Sequence, residues 1–185
     1  MYKVFIEDSD PLIASMFMEE GYEISDTHKG VGLICFGGGA DVSPSLYNEM
    51  NTDSYCVPTR DLYNVFLYNH ARLNNIKCVG ICRGGQFLNV MNGGSMIQHY
   101  VGHNNTIHMI RTSKHNFINV TSDHHQIMIP SKKAMIMALS DTDDKAEVVV
   151  YKDSDGREDI CFQPHPEWVT KNHQCRDYFF SLLKF

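Results

Sequence analysis

Several things are scarce in this 185-residue chain, and each scarcity removes a class of function. No stretch approaches about 18 uninterrupted apolar residues, so a membrane-spanning helix is not expected. The opening MYKVFIEDSDP carries acids early and has no apolar run of signal-peptide length, which makes the cytoplasm the expected compartment. Lys and Arg number 16 against 22 Asp and Glu, and no basic run occurs. A net charge of −6 gives no general pull toward nucleic acid or an anionic membrane, so neither is expected as a partner. The six cysteines form no C-x-x-C pair, and without a secretory signal they read as reduced thiols rather than a disulfide framework. Internal repeats, low-complexity tracts and any linker long enough to separate one domain from another are all missing. Residues 1–185 are therefore read as one domain.

What is present alternates strand with helix. Tyr2–Glu7 reads as a strand, and Asp10 can cap a helix that starts at Pro11 and stops at Gly21. Gly32–Phe36 and Cys78–Cys82 are short apolar runs suited to buried parallel strands, separated by a helix over about 60–74. Arg83–Asn92 reads as helix, ended by Gly93-Gly94. Four strands are expected later, at 117–120, 134–139, 147–151 and 159–162, then a helix over 172–183. Asp141–Asp144 reads as a loop between strands. This order implies an α/β fold with a mostly parallel central sheet flanked by helices in three layers, and a ligand beyond the carboxyl ends of the strands.

Three stretches there could carry chemistry. Gly80-Ile81-Cys82-Arg83-Gly84 sits where strand turns into helix, and Gly-x-Cys-x-Gly is the thiol form of a nucleophile elbow. The sharp turn needs small flanking residues and holds the sulfur at a helix N-terminus. The spacing alone is equally compatible with a buried structural cysteine. Gln163-Pro164-His165-Pro166-Glu167 follows the last strand. In an extended segment His165 and Glu167 point to one side, as a base and its orienting partner would, although an exposed Pro-rich turn fits as well. Gly37-Gly38-Gly39 follows a buried strand and leaves backbone N–H groups free to face a ligand. A phosphate loop is the weaker reading because no Gly-Lys-Ser/Thr follows.

Together these motifs resemble the class I glutamine amidotransferase family, in its γ-glutamyl hydrolase-like, peptidase C26 branch. The resemblance rests on Asp41-Val42-Ser43-Pro44-Ser45-Leu46-Tyr47, Gly80–Gln86, Asn89-Val90 with Gly93-Gly94 and Gln98, His124-His125-Gln126, and His165-Pro166-Glu167. It implies a flavodoxin-like fold and a Cys82–His165–Glu167 triad. It also implies an oxyanion hole from the backbone N–H of Arg83 and of Gly38 or Gly39, and substrate contacts from Gln86, His124 and His125. The implied reaction is hydrolysis of glutamine or a γ-glutamyl amine through a glutamyl thioester, without metal or organic cofactor. The alternatives are a glutaminase subunit feeding ammonia to a separate synthetase, and a silent binding relative. Gly37 stands where the family often has Pro, which implies a looser loop. The span from Gln98 to His124 is short, which leaves little chain for a specificity lid. His99, His103 and His108 suggest metal ligands only weakly, since their region reads as irregular loop and no third-ligand pattern follows.

Overall fold

The computed structural model describes residues 2–104 and 106–184. Its elements run β1 (Lys3–Ile6), α1 (Pro11–Glu19), β2 (Glu23–Ile24), β3 (Leu33–Phe36), α2 (Pro58–Leu73), β4 (Lys77–Ile81), α3 (Arg83–Met91) and β5 (Ser95–Ile97). The second half adds β6 (Thr106–Thr112), β7 (Phe117–Ser122), β8 (Ile127–Ile129), β9 (Met135–Ser140), β10 (Ala146–Lys152), β11 (Glu158–Phe162) and α4 (Gln174–Leu182). The main sheet has the order β2-β1-β3-β4-β11-β10-β9-β6-β7, with β5 and β8 branching from β10. Its first five strands are parallel, and the later strands extend it in antiparallel fashion.

Alternation along the strands builds two cores. Leu33 and Cys35 face one side with Val79 and Ile81, where Ile13, Met16 and Phe17 of α1 and Cys175 and Phe179 of α4 cover them. Ile34 and Phe36 face the other side with Cys78, under Leu67, Tyr68 and Ala71 of α2 and Phe87 and Leu88 of α3. Helices on both faces of the sheet make the three-layer α/β arrangement that the strand–helix alternation predicts. Phe179 is fully buried, so its truncation to Ala is worth about 3–5 kcal/mol.

Local chemistry sets the ends. The Asp10 carboxylate accepts from the Leu12 and Ile13 N–H groups at 2.7 and 3.1 Å, and Pro11 opens α1. The region between His99 and the strand at 117 departs from the expected loop, because seven residues of it form β6. Ile107 and Met109 on β6 are exposed, so the usual apolar-inward alternation is blurred there. The strands β2, β5 and β8 have only two or three residues, too few to show a period. Among the described residues, no helix is long and apolar enough to cross a membrane.

Candidate active site

The carboxyl ends of β1, β3, β4 and β11 meet at one edge of the sheet. Chain order reverses there, between β1 and β3, where α/β sheets open a crevice. Each strand delivers part of the site. From β4 comes Cys82, with φ 51° and ψ −114°, a backbone conformation rare for a residue with a Cβ. The turn is enforced by packing. A Cβ on Gly80 would stand 2.1 Å from the Gly84 carbonyl carbon, and one on Gly84 would stand 2.1 Å from the Phe36 carbonyl oxygen. Strand and helix therefore approach too closely for any side chain at either position. Cys82 ends up just ahead of the first turn of α3, whose leading N–H groups, Arg83 first, have no carbonyl acceptor within the helix. Its Sγ lies 3.9 Å from the Asp123 carbonyl oxygen, and the residue is largely buried.

From β11 comes His165. Its N–H donates to the Thr121 carbonyl at 3.0 Å, and the Thr121 hydroxyl donates to the His165 carbonyl at 2.6 Å, so β7 pins its backbone from both sides. Pro166 opens a 3-10 turn, Pro166–Trp168, and does not continue the extended segment. The turn still brings Glu167 back, with Oε1 2.6 Å from His165 Nδ1. Extended geometry is thus not what unites the pair; a tight turn seeded by Pro166 does it. The same turn lays the Trp168 ring on the imidazole, with centroids 3.7 Å apart and planes 4° apart. Trp168 is the sole tryptophan of the sequence, and its position three residues after His165 is the signal that sequence reading passed over. Burial works against a charged imidazole here, but contacts with Cys82 and then Glu167 outweigh it and push His165 up to about 10.

From β3 comes the glycine loop. A Cβ on Gly38 would lie 3.5 Å from His165 Cε1 and 3.8 Å from Cys82 Cβ, so Gly38 covers both residues. The loop is not loose, contrary to what Gly37 in place of proline implies. The Arg60 guanidinium donates to the Gly38 carbonyl at 2.6 Å and reaches the Gly37 carbonyl at 3.5 Å. It is fixed in turn by a fork to Glu7, at 3.1 and 2.8 Å, and by Asp8 at 3.2 Å. A Cβ on Gly37 would meet the Asp8 carboxylate at 2.0 Å. Holding these two carbonyls orients the trans peptides, and with them the N–H groups of Gly38 and Gly39 on the opposite side.

The remaining expected residues sit further out. The Arg83 side chain turns away from the thiol, fully buried against Asp61 and the Ala40 carbonyl. Gln86 is buried and donates to the Gln126 carbonyl at 3.4 Å. His125 Nε2 lies 3.1 Å from Asp41 Oδ1. His124 is buried, with Nδ1 3.0 Å from the Gln126 carbonyl oxygen. Of the histidines whose spacing suggests ligands, His103 alone belongs, among the described residues, to a group that could hold a metal. His103, His124 and Glu147 of β10 converge, while His99 packs instead against His125.

Residues 11–116, over half of the chain, match the peptidase C26 family. The chain belongs to that family. Proteins it resembles include glutamine amidotransferase-like ones. A glutamine amidotransferase-like protein of Rickettsia prowazekii is 32% identical over 77 residues, 39% of this chain and 27% of that protein. The NtpR protein of Enterococcus hirae is 32% identical over 92 residues, 49% of this chain and 34% of that one. These alignments span about a third of the relatives' own length. Solved structures align across nearly the whole chain. A candidate GMP synthase subunit from Thermoplasma acidophilum gives a TM-score of 0.71 at 19% identity, covering 99% of this chain and 92% of that one. PurLQS from Thermotoga maritima gives 0.71 at 15% identity, covering 98% and 97%. These likenesses establish the fold.

Proposed function

We propose that this C26 family member hydrolyses the γ-glutamyl amide bond of glutamine or a γ-glutamyl amine, with Cys82, His165 and Glu167 as catalytic residues of one domain. The observation that carries this reading is that Gly38 borders both His165 and Cys82, while His165 Nδ1 is bonded to Glu167. Cys82 Sγ attacks the γ-carbonyl carbon, its proton held on His165. The carbonyl π-electrons move to oxygen, and the backbone N–H groups of Arg83 and of Gly38 or Gly39 stabilise that oxyanion. His165 then gives its proton to the departing nitrogen, the C–N bond breaks, and ammonia or amine leaves behind a glutamyl thioester. Water, deprotonated by His165, attacks the thioester; the C–S bond breaks and the returning proton regenerates the resting pair. Glu167 keeps Nδ1 protonated and offsets the imidazolium charge. Gln86 and His125 are the proposed substrate contacts, with buried His124 behind them. The six free cysteines suit a reducing compartment such as the cytoplasm.

A second reading, a glutaminase subunit that hands ammonia to a synthetase, draws on the near-complete two-way coverage of a GMP synthase subunit candidate and of PurLQS. One assay separates the two. Glutamate release is followed with glutamine and with a panel of γ-glutamyl amines. Turnover of a γ-glutamyl amine by the isolated protein supports the hydrolase, and negligible turnover until a synthetase is added supports the subunit. Full activity in Cys82→Ala refutes both.

A further inference from the structure

Behind the candidate active site, Glu147 of β10 is completely buried, and three histidines surround it. His103 Nδ1 lies 2.9 Å and His108 Nε2 3.3 Å from Oε1, and His124 Nε2 lies 3.7 Å from Oε2. Despite these short distances, neither Glu147 oxygen and neither His103 Nδ1 nor His108 Nε2 has a partner in hydrogen-bond geometry. A buried carboxylate with both oxygens unsatisfied is costly.

The outer nitrogens explain the arrangement. His103 Nε2 lies 3.0 Å from Asp143 Oδ2, and a carboxylate there accepts its proton, which leaves a lone pair on Nδ1 facing the cluster. His124 Nδ1 lies 3.0 Å from both the Gln126 carbonyl oxygen and Gln163 Nε2; with its proton given to the carbonyl, the lone pair on Nε2 faces the same point. Two imidazole lone pairs and a carboxylate therefore converge. Each imidazole is oriented by an acceptor on its far nitrogen, the support that metal-bound histidines usually have. The ligand atoms of His103, His124 and Glu147 lie within 4.8 Å of one another. Tetrahedral zinc, with bonds of about 2.0–2.1 Å, sets neighbouring ligands about 3.4 Å apart, and His103 Nδ1 stands 2.9 Å from one Glu147 oxygen and His124 Nε2 3.7 Å from the other.

We infer that His103, His124 and Glu147 form a binding site for a divalent transition metal, zinc by its ligand set, with His108 beside the Glu147 carboxylate. The metal ties together the segment before β6, the segment between β7 and β8, and β10. Asp123, whose carbonyl faces Cys82 Sγ, is next to His124, so the metal braces one wall of the thiol site. Metal binding here does not depend on the proposed reaction, because it requires no turnover.

The test uses the intact protein, stripped with a chelator and then offered zinc or cobalt(II). About one metal ion per chain is expected to survive gel filtration. The cobalt form should show a visible ligand-field band without the near-ultraviolet charge-transfer band of a thiolate ligand, which separates this site from the six cysteines. Zinc should raise the melting temperature of the wild type. Glu147→Gln should lose the cobalt band, and if that variant does not fold, His124→Gln serves in its place. No retained metal, a thiolate band, or an unchanged cobalt spectrum in a folded Glu147→Gln or His124→Gln protein overturns the inference.

Discussion

Replacing Cys82 by Gly should leave a more stable protein than replacing it by Ala, the reverse of the order at ordinary positions. Both substitutions remove the thiol, and they differ by a single Cβ. At φ 51° and ψ −114° that Cβ is held in a sparsely populated region, at about 1–3 kcal/mol. The turn cannot relax, because the glycines at 80 and 84 bring β4, α3 and β3 into contact at backbone distance. Against this, glycine loosens the unfolded chain relative to alanine by about 0.4–1 kcal/mol. The difference leaves Cys82→Gly ahead by about 1 kcal/mol, or roughly 2–4 °C in Tm for a chain of this size. Urea titration and thermal melting of both variants measure it. Leu62, exposed on α2, supplies the contrast, since Leu62→Gly should fall below Leu62→Ala by about 1 kcal/mol. If Cys82→Ala proves as stable as Cys82→Gly while the Leu62 pair behaves normally, no strain is stored at the elbow.

Other predictions follow from the neighbours of His165. Glu167→Gln should lower kcat for glutamate release by about 100-fold or more, since a neutral amide neither fixes the imidazole proton nor offsets its charge. In Cys82→Ala, proton NMR should find His165 titrating well below about 10, because its contact with Cys82 is the leading influence that raises it. The stability consequence has a definite sign. His165 lies above its ordinary 6.5 in the folded protein, so its stabilising contribution is complete below about 6.5 and is lost as pH rises toward about 10. Unfolding free energy should therefore fall over that window in the wild type and fall less in Cys82→Ala. Arg60→Lys keeps the charge beside Glu7 but loses the planar fork that holds the Gly37 and Gly38 carbonyls. It should lower kcat about 10-fold with little change in KM, and unchanged kcat would sever Arg60 from the glycine loop.

What the sequence revealed about this site divides along the range of the forces involved. The elbow was legible because its pattern lies within five residues, Gly80 to Gly84, although the atom that keeps Gly84 bare is the Phe36 carbonyl oxygen of a neighbouring strand. His165 and Glu167 were legible as a pair because they are two residues apart, although the 3-10 turn at Pro166, not extended backbone, makes their contact. Arg60 was not legible, because it acts on Gly37 and Gly38 more than twenty residues away and is steered there by Glu7, in the turn after β1. The histidine cluster was hidden more deeply. His103 precedes its strand, His124 was assigned to the substrate side by its neighbours in sequence, and Glu147 lies in an apolar run where one acid looks like an exposed position. Only the folded chain, in which Glu147 falls at a register shift between β10 and β9 and is fully buried, shows that this acid points inward among the histidines. A buried charge among apolar residues demands compensation from somewhere in the fold, and here every compensating group comes from a distant stretch of chain. An isolated Glu in a run such as Ala146–Tyr151 is for that reason a sign of a partner that local spacing cannot name.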